Sequence, residues 1–202
     1  MNLLQNNMNI HAVVIVLSYL IGSIPFGLIL SYIGGLGDIR KVGSGNIGAT
    51  NVFRKSKKLA VMTLLLDAVK GLISVLLAKI YSTDQTFAFI SAMFSIIGHM
   101  FPVWLLFKGG KGISTLLGSM VLIEYKFVIC FLFIWITLFA IFKYSSLSSI
   151  VSTIFVALLV YMYYTMNDTA VFIAMSLLII TQHADNIARM LSGKENKLNI
   201  GL

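Results

Sequence analysis

Apolar residues in this chain run in long blocks, about residues 11–33, 59–80, 86–107, 113–123, 127–142, 148–164 and 169–182. Charge is almost confined to the short stretches between them. A helix that crosses a bilayer needs about 20 mostly apolar residues. The pattern predicts an all-α membrane protein: a bundle of seven transmembrane helices forming one integral-membrane domain over residues 1–202. The fourth block is short. It stands either as a half-length helix or joins the fifth around Glu124, Tyr125 and Lys126. Five spans is the alternative, and either odd number puts the termini on opposite sides. Pro25, with Gly22 and Gly27 beside it, predicts a kink in the first block. No basic residue precedes that block, and it is too long for a removable signal peptide, so it reads as a retained helix.

Composition agrees with the pattern. Hydrophobic residues make up 58% of the chain, above the roughly 45–50% of soluble domains. The single cysteine, Cys130, cannot form an internal disulfide. A net charge of +8 invites a nucleic-acid reading, but the cations sort by membrane side and form no continuous face. Arg40, Lys41, Arg54, Lys55, Lys57 and Lys58 lie in the first connection, Lys108 and Lys111 in the third and Lys143 in the fifth. Arg189, Lys194 and Lys197 lie in the tail. The other side receives only Lys79 and Lys126, with Asp84, Glu124 and Asp168. By the positive-inside rule the first group is cytoplasmic, the N-terminus is outside and the C-terminus is cytoplasmic.

Three polar clusters fall on that cytoplasmic side. The first is GSGNIGATNVFR, residues 43–54. Gly43, Gly45 and Gly48 leave backbone N–H groups uncovered. Ser44, Asn46, Thr50 and Asn51 add short donors, and Arg54 adds a fork suited to an oxyanion. Such a loop binds phosphate without a metal. The second, KGGKG at 108–112, precedes a helix start, where unpaired N–H groups and a partial positive charge favour an anion. Lys108, Gly110 and Lys111 are its candidates. It is not a P-loop, because the GxxxxGK[ST] spacing is absent. The third follows the last apolar block: if helical, His183, Asn186 and Arg189 share one face. Ser149 belongs to a serine cluster that opens the sixth block on the same side.

Inside the blocks, Thr63, Asp67, Lys70 and Ser74 follow helical spacing, as do Ser91, Ser95 and His99. Intramembrane charges face the bundle interior with a partner. Asp67 and Lys70 therefore read as an internal ion pair, structural rather than catalytic, and His99 as a buried residue that fixes helix packing. No HExxH, Cys/His cluster or carboxylate cage is present, so neither a metal nor a cofactor is expected. No GxSxG elbow occurs, and no histidine is followed by an aspartate five residues on.

Taken in order, GSIPFG (22–27), GSGNIGATN (43–51) with Arg54, DAVKG (67–71), GHMFPVW (98–104), KGGKG (108–112) and H-x2-N-x2-R (183–189) resemble the PlsY family. These are bacterial membrane acyl-phosphate:glycerol-3-phosphate acyltransferases. The series runs from the first helix to the tail, with departures at Asp185 and Ala188, where relatives often carry other polar residues. The resemblance implies transfer of a fatty acyl group from acyl phosphate to the 1-hydroxyl of glycerol 3-phosphate, giving lysophosphatidic acid and phosphate. It implies a multi-pass protein of the bacterial cytoplasmic (inner) membrane with its site at the cytoplasmic face. A soluble enzyme that supplies acyl phosphate is the partner in view, and no nucleic acid is. Ser44, Asn46, Thr50, Arg54, Lys111, Ser149, His183 and Asn186 carry over as site residues. The proton acceptor stays open between His183 and a substrate phosphate oxygen. A transporter of a phosphorylated metabolite is the competing class. It would place substrate near the midplane on broken helices with inverted repeats, whereas the cationic donors here gather at one surface.

Overall fold

The computed structural model describes residues 2–198, with side chains from Met8 onward. Among these residues the chain is all helical. In order come α1 (Asn2–Gly22), α2 (Phe26–Ile33), α3 (Ala49–Phe53), α4 (Lys57–Tyr81), α5 (Gln85–Met100), α6 (Ile113–Phe142), α7 (Ser145–Tyr163), α8 (Met166–Gln182) and α9 (Ala184–Leu191). Short 3₁₀ turns at Ile39–Lys41 and Val103–Leu105 fill two connections. Pro25 separates α1 from α2, as the sequence predicts. The 34–56 connection also contains a short helix, α3, that its small and polar residues do not announce.

Five stretches are long and apolar enough to cross a membrane: Met8–Ile33, Lys57–Tyr81, Gln85–Leu105, Ile113–Phe142 and Ser145–Tyr163. Counting α8 with α9, which meet at 56°, makes six. The fourth and fifth apolar blocks form two helical stretches, numbered together as α6, that part at Glu124, whose φ of −159° and ψ of 95° are extended. The break has a local cause. The Lys126 N–H, which a regular helix would direct to the Leu122 carbonyl, donates to Glu124 Oε1 at 3.3 Å. The freed Leu122 carbonyl accepts from Lys79 Nζ at 2.6 Å.

Contacts divide the chain after Ile123 into two compact units. In the first, α1 packs on α5 and α4, and α4 packs on α5. The start of α6 lies close on α4: a Cβ at Gly71 would stand 2.1 Å from the Thr115 carbonyl oxygen, and one at Gly118 would stand 1.8 Å from that of Ala68. Small residues thus bring these backbones together, as between membrane helices, where lipid supplies no hydrophobic drive for association. The interior of this unit holds Thr63, Asp67, Lys70, Ser74, Ser91, Ser95 and His99, all buried. In the second unit α7 packs on α8 and α8 on α9. Ile129, Phe133 and Ile136, at helical spacing on α6, are 60%, 72% and 60% exposed. That stripe suits a lipid neighbour and no aqueous one.

Candidate active site

The 43–54 loop of the first unit is organised by one side chain. Asn51, on α3, is buried. Its amide N–H groups reach the carbonyls of Ile39, Val42 and Asn46 at 3.0, 2.9 and 2.8 Å. Its Oδ1 accepts the Ser44 N–H at 3.2 Å. Asn46 Oδ1 accepts the Gly48 N–H at 2.7 Å, closing the turn that leads into α3. Gly43 has a φ of +57°, and a Cβ there would stand 2.4 Å from Asn51 Oδ1 and 2.8 Å from Arg54 Cδ. Only glycine lets Asn51 and Arg54 close on the backbone in this way. The loop sits on a small apolar base of Leu28, Ile39, Ile47, Val52 and Ala60. Ser44, Gly45, Thr50 and Arg54 are exposed on its outer side.

Arg40 flanks the loop and pairs with Asp38 at 2.7 Å. The Arg40 side chain and its N–H both donate to the Asp38 carboxylate, which is held near a pKa of about 2 chiefly by the side-chain hydrogen bond. Arg40 therefore arrives already matched to an anion, and Arg54, Lys55, Lys57 and Lys58 are further exposed cations around the loop.

The 108–112 loop meets the first within the same unit. Asn46 Nδ2 donates to the Gly109 carbonyl at 3.5 Å. Gly109 and Gly110 donate their N–H groups to the carbonyls of Met100 and His99, both at 2.9 Å. Gly112 takes a φ of +84° and α6 starts at the next residue. Lys108 is exposed, Lys111 half-buried and Gly110 buried. The structure thus brings together Gly43, Ser44, Gly45, Asn46 and Asn51 and ties them to the second loop through Gly109. In both loops most of the organising contacts are made by backbone and amide groups.

The second unit holds the rest. His183 caps the bend between α8 and α9 and is buried. Its Nδ1 lies 2.8 Å from the Ile179 carbonyl oxygen. A carbonyl can only accept, so Nδ1 carries a proton. Asn186 and Arg189 do share a face of α9, as their spacing predicts, and they meet there on Glu195. Asn186 Nδ2 donates to Glu195 Oε1 at 2.6 Å, Arg189 Nε donates to Oε2 at 2.8 Å and Ser146 Oγ donates to Oε1 at 2.7 Å. Burial works to raise the Glu195 carboxyl, but these hydrogen bonds outweigh it and hold the group below the ordinary glutamate value. Ser149, one turn beyond Ser146 on α7, is buried, and its Oγ accepts the Trp135 Nε1–H at 3.0 Å.

Glu195 is the residue that the sequence reading misses. It sits between Lys194 and Lys197 in a tail that looks like a solvated charge run. The available signal was a single acid in a basic tail, following an H-x2-N-x2-R face that needs an anion. Among the described residues no group of three or more His, Cys, Asp or Glu side chains is placed to hold a metal.

The sequence profile of the family described as "Glycerol-3-phosphate acyltransferase" matches residues 12–193. The chain belongs to that family. It is 71% identical to the glycerol-3-phosphate acyltransferase of Ehrlichia canis (strain Jake), covering 95% of this chain and all of that one. It is 59% identical to that of Ehrlichia ruminantium (strain Gardel), covering 96% of this chain and all of the relative. Its fold matches crystal structures of PlsY, an integral membrane glycerol 3-phosphate acyltransferase. For the glycerol 3-phosphate form the TM-score is 0.89 at 37% identity, over 94% of this chain and 96% of that one. For the lysophosphatidic acid form it is 0.87 at 36%, over 94% and 95%. This PlsY-family chain is accordingly a multi-pass integral membrane protein.

Proposed function

We propose that this chain transfers a fatty acyl group from acyl phosphate to the 1-hydroxyl of glycerol 3-phosphate. The products are lysophosphatidic acid and inorganic phosphate, the first acylation of phospholipid synthesis. One observation carries the reading: the 43–54 loop, fixed from within by Asn51, displays Ser44, Thr50 and Arg54 and joins a second glycine loop bearing Lys108 and Lys111. That is an apparatus for holding phosphate groups by backbone, amide and cation. The matched PlsY structures in glycerol 3-phosphate and lysophosphatidic acid forms support the same substrate class.

Acyl phosphate is a mixed anhydride with a good leaving group, so no covalent enzyme intermediate is required. The glycerol hydroxyl oxygen attacks the acyl carbonyl carbon, and the bond from that carbon to the phosphate oxygen breaks. The hydroxyl proton passes to a phosphate oxygen. The protein's task is to hold two anions whose mutual repulsion amounts to several kcal/mol in a partly dry site, and to stabilise the charge moving onto the departing phosphate. Lys111 and Arg54 suit that role, with Asn46 and Lys108 as phosphate donors, Gly43, Gly45 and Gly110 letting the phosphate approach the backbone, and Asn51 acting through the shape of the loop. His183 orients a substrate hydroxyl; Ser149, Asn186 and Arg189 are substrate-positioning residues. No metal or cofactor takes part.

The same reading gives seven spans in one domain of the bacterial inner membrane, the N-terminus outside and the C-terminus and site cytoplasmic, with a soluble enzyme delivering acyl phosphate. Purified protein given acyl phosphate and glycerol 3-phosphate should release phosphate and form lysophosphatidic acid. Acyl-CoA should not replace acyl phosphate, and EDTA should not inhibit. Turnover with acyl-CoA at a comparable rate would refute the donor assignment. Cysteine labelling should find positions 55 and 196 cytoplasmic and position 84 external.

A further inference from the structure

We infer that His99, braced by the buried Asp67–Lys70 pair, is a positioning residue that sets the height and angle of the 108–112 loop. The inference rests on the reading that this loop holds a substrate phosphate.

The cluster lies beneath that loop within the first unit. Lys70 Nζ is 2.8 Å from Asp67 Oδ1, and the two side chains are 2% and 4% exposed. Charges inside a membrane bundle persist only when they are paired and hydrogen-bonded. Here Lys70 Nζ also donates to the Ile24 carbonyl at 3.1 Å, at the break between α1 and α2. It stands 5.9 Å from the centre of the Phe26 ring as well. Asp67 turns the same Oδ1 toward His99 Nδ1 at 3.6 Å, too long for a hydrogen bond but close enough for electrostatic attraction to the ring. Lys70 and Asp67 are thereby committed to α4, to the α1–α2 break and to His99 at once.

The opposite edge of the imidazole supports the loop. A Cβ built on Gly110 would stand 1.9 Å from His99 Nε2, 2.6 Å from Cε1 and 2.8 Å from Cδ2. The ring is therefore seated directly against the Gly110 backbone, and no side chain fits between them. The His99 carbonyl accepts the Gly110 N–H, and that of Met100 accepts the Gly109 N–H. One residue thus holds Gly110 both by its main chain and by its ring. A void under Gly110 would let Lys111 and the start of α6 drift, and a misplacement of about 1 Å in a positioning element can cost on the order of 100-fold in rate. A purely structural ion pair would account only for the matched charges of Asp67 and Lys70. It does not explain why an unpartnered imidazole nitrogen, His99 Nδ1, is kept buried beside them with its far edge under a glycine of the loop.

The test is a coupled substitution in the full-length protein in detergent or nanodiscs. His99→Ala should raise the KM for glycerol 3-phosphate or for acyl phosphate about tenfold with a smaller change in kcat. The loss should be largely reversed by His99→Gln, which restores a planar edge. Gly110→Ala, which drives a Cβ into the ring, should impair KM in the wild-type background. In His99→Ala the same change fills the vacated space, so the double variant should outperform Gly110→Ala alone. Hydrogen exchange supplies a readout that is independent of turnover: the Gly109 and Gly110 amides should exchange faster in His99→Ala while the α5 amides do not. Unchanged exchange and unchanged KM values with a lowered kcat, or additive losses in the double variant, would overturn the inference. If His99→Ala does not fold, His99→Gln and the Gly110→Ala pair decide on the same criteria. A wild-type protein without acyl transfer from acyl phosphate would instead refute the function itself, and the exchange measurement would still decide the role of His99.

Discussion

Removing the Asp67 carboxylate should be among the most destabilising single changes outside the loops. At 2.8 Å and an effective dielectric near 20, the pair attracts by about 6 kcal/mol. That is similar to the desolvation of two buried ions at several kcal/mol each. The intact pair is therefore close to neutral against a well-packed apolar pair. Breaking it is another matter, because Asp67→Asn keeps the shape and leaves the Lys70 ammonium buried against one carbonyl and the Phe26 ring. The expected cost is about 3–5 kcal/mol, and Lys70→Met should cost a similar amount by stranding Asp67. The double variant Asp67→Leu/Lys70→Met should return to within about 1 kcal/mol of the wild type, because neither ion then remains. Reversible unfolding in detergent micelles, followed by circular dichroism against added SDS, measures all three. An Asp67→Asn loss below about 1 kcal/mol, or a double variant as weak as the two singles summed, would refute the reasoning.

Four other residues give testable outcomes. Lys111→Ala should lower kcat/KM by about 2–4 kcal/mol, roughly 30- to 1000-fold, as when one electrostatic stabiliser is removed. Lys111→Arg should recover only part of this, and His183→Asn should retain measurable phosphate release with the same pH profile. Asn51→Asp should abolish glycerol 3-phosphate binding, measured by isothermal titration, because a carboxylate would face the Ile39, Val42 and Asn46 carbonyls. Glu195 has a folded-state pKa below its ordinary value of 4.5. Its stabilisation is therefore complete above that value and is lost as pH falls through the folded-state pKa. Melting temperatures should drop on the acid side of about pH 4.5, and Glu195→Gln should flatten that part of the profile.

The fold was legible where hydropathy alone decides it. Every apolar block became helix, and Pro25 broke the first one. Where the fourth block parts from the fifth depended on detail that hydropathy cannot express. The break at Glu124 goes with Lys126 turning its N–H to the Glu124 side chain and with Lys79 reaching the Leu122 carbonyl. In the candidate site, the composition of residues 43–54 announced a polar, glycine-rich connection. It could not say which asparagine faces outward. Asn46 and Asn51 are the same residue type five positions apart, yet one bridges to Gly109 and the other is the buried centre of the turn. Glu195 stayed hidden because its three donors come from α7 and α9, far apart in sequence.

The polar residues inside the first unit follow the same logic as the loops above them. Thr63, Asp67, Lys70 and Ser74 are buried on one face of α4, whereas Val61, Leu65, Leu76 and Ile80 are exposed on the others. Polarity is thus concentrated inward, which lipid rewards and water would not. Thr63 and Ser74 satisfy themselves on the carbonyls of Leu59 and Lys70, one turn back, so they add no cross-helix tie. Asp67 and Lys70 do add one, and their contacts lead outward to the Ile24 break and to the residue under Gly110. The only charges on this buried face are therefore those connected to the loop. If helix packing were their whole purpose, apolar residues would pack as well without the desolvation of two ions. Their position beneath a glycine loop that bears Lys111 is the reason to treat them as part of the site.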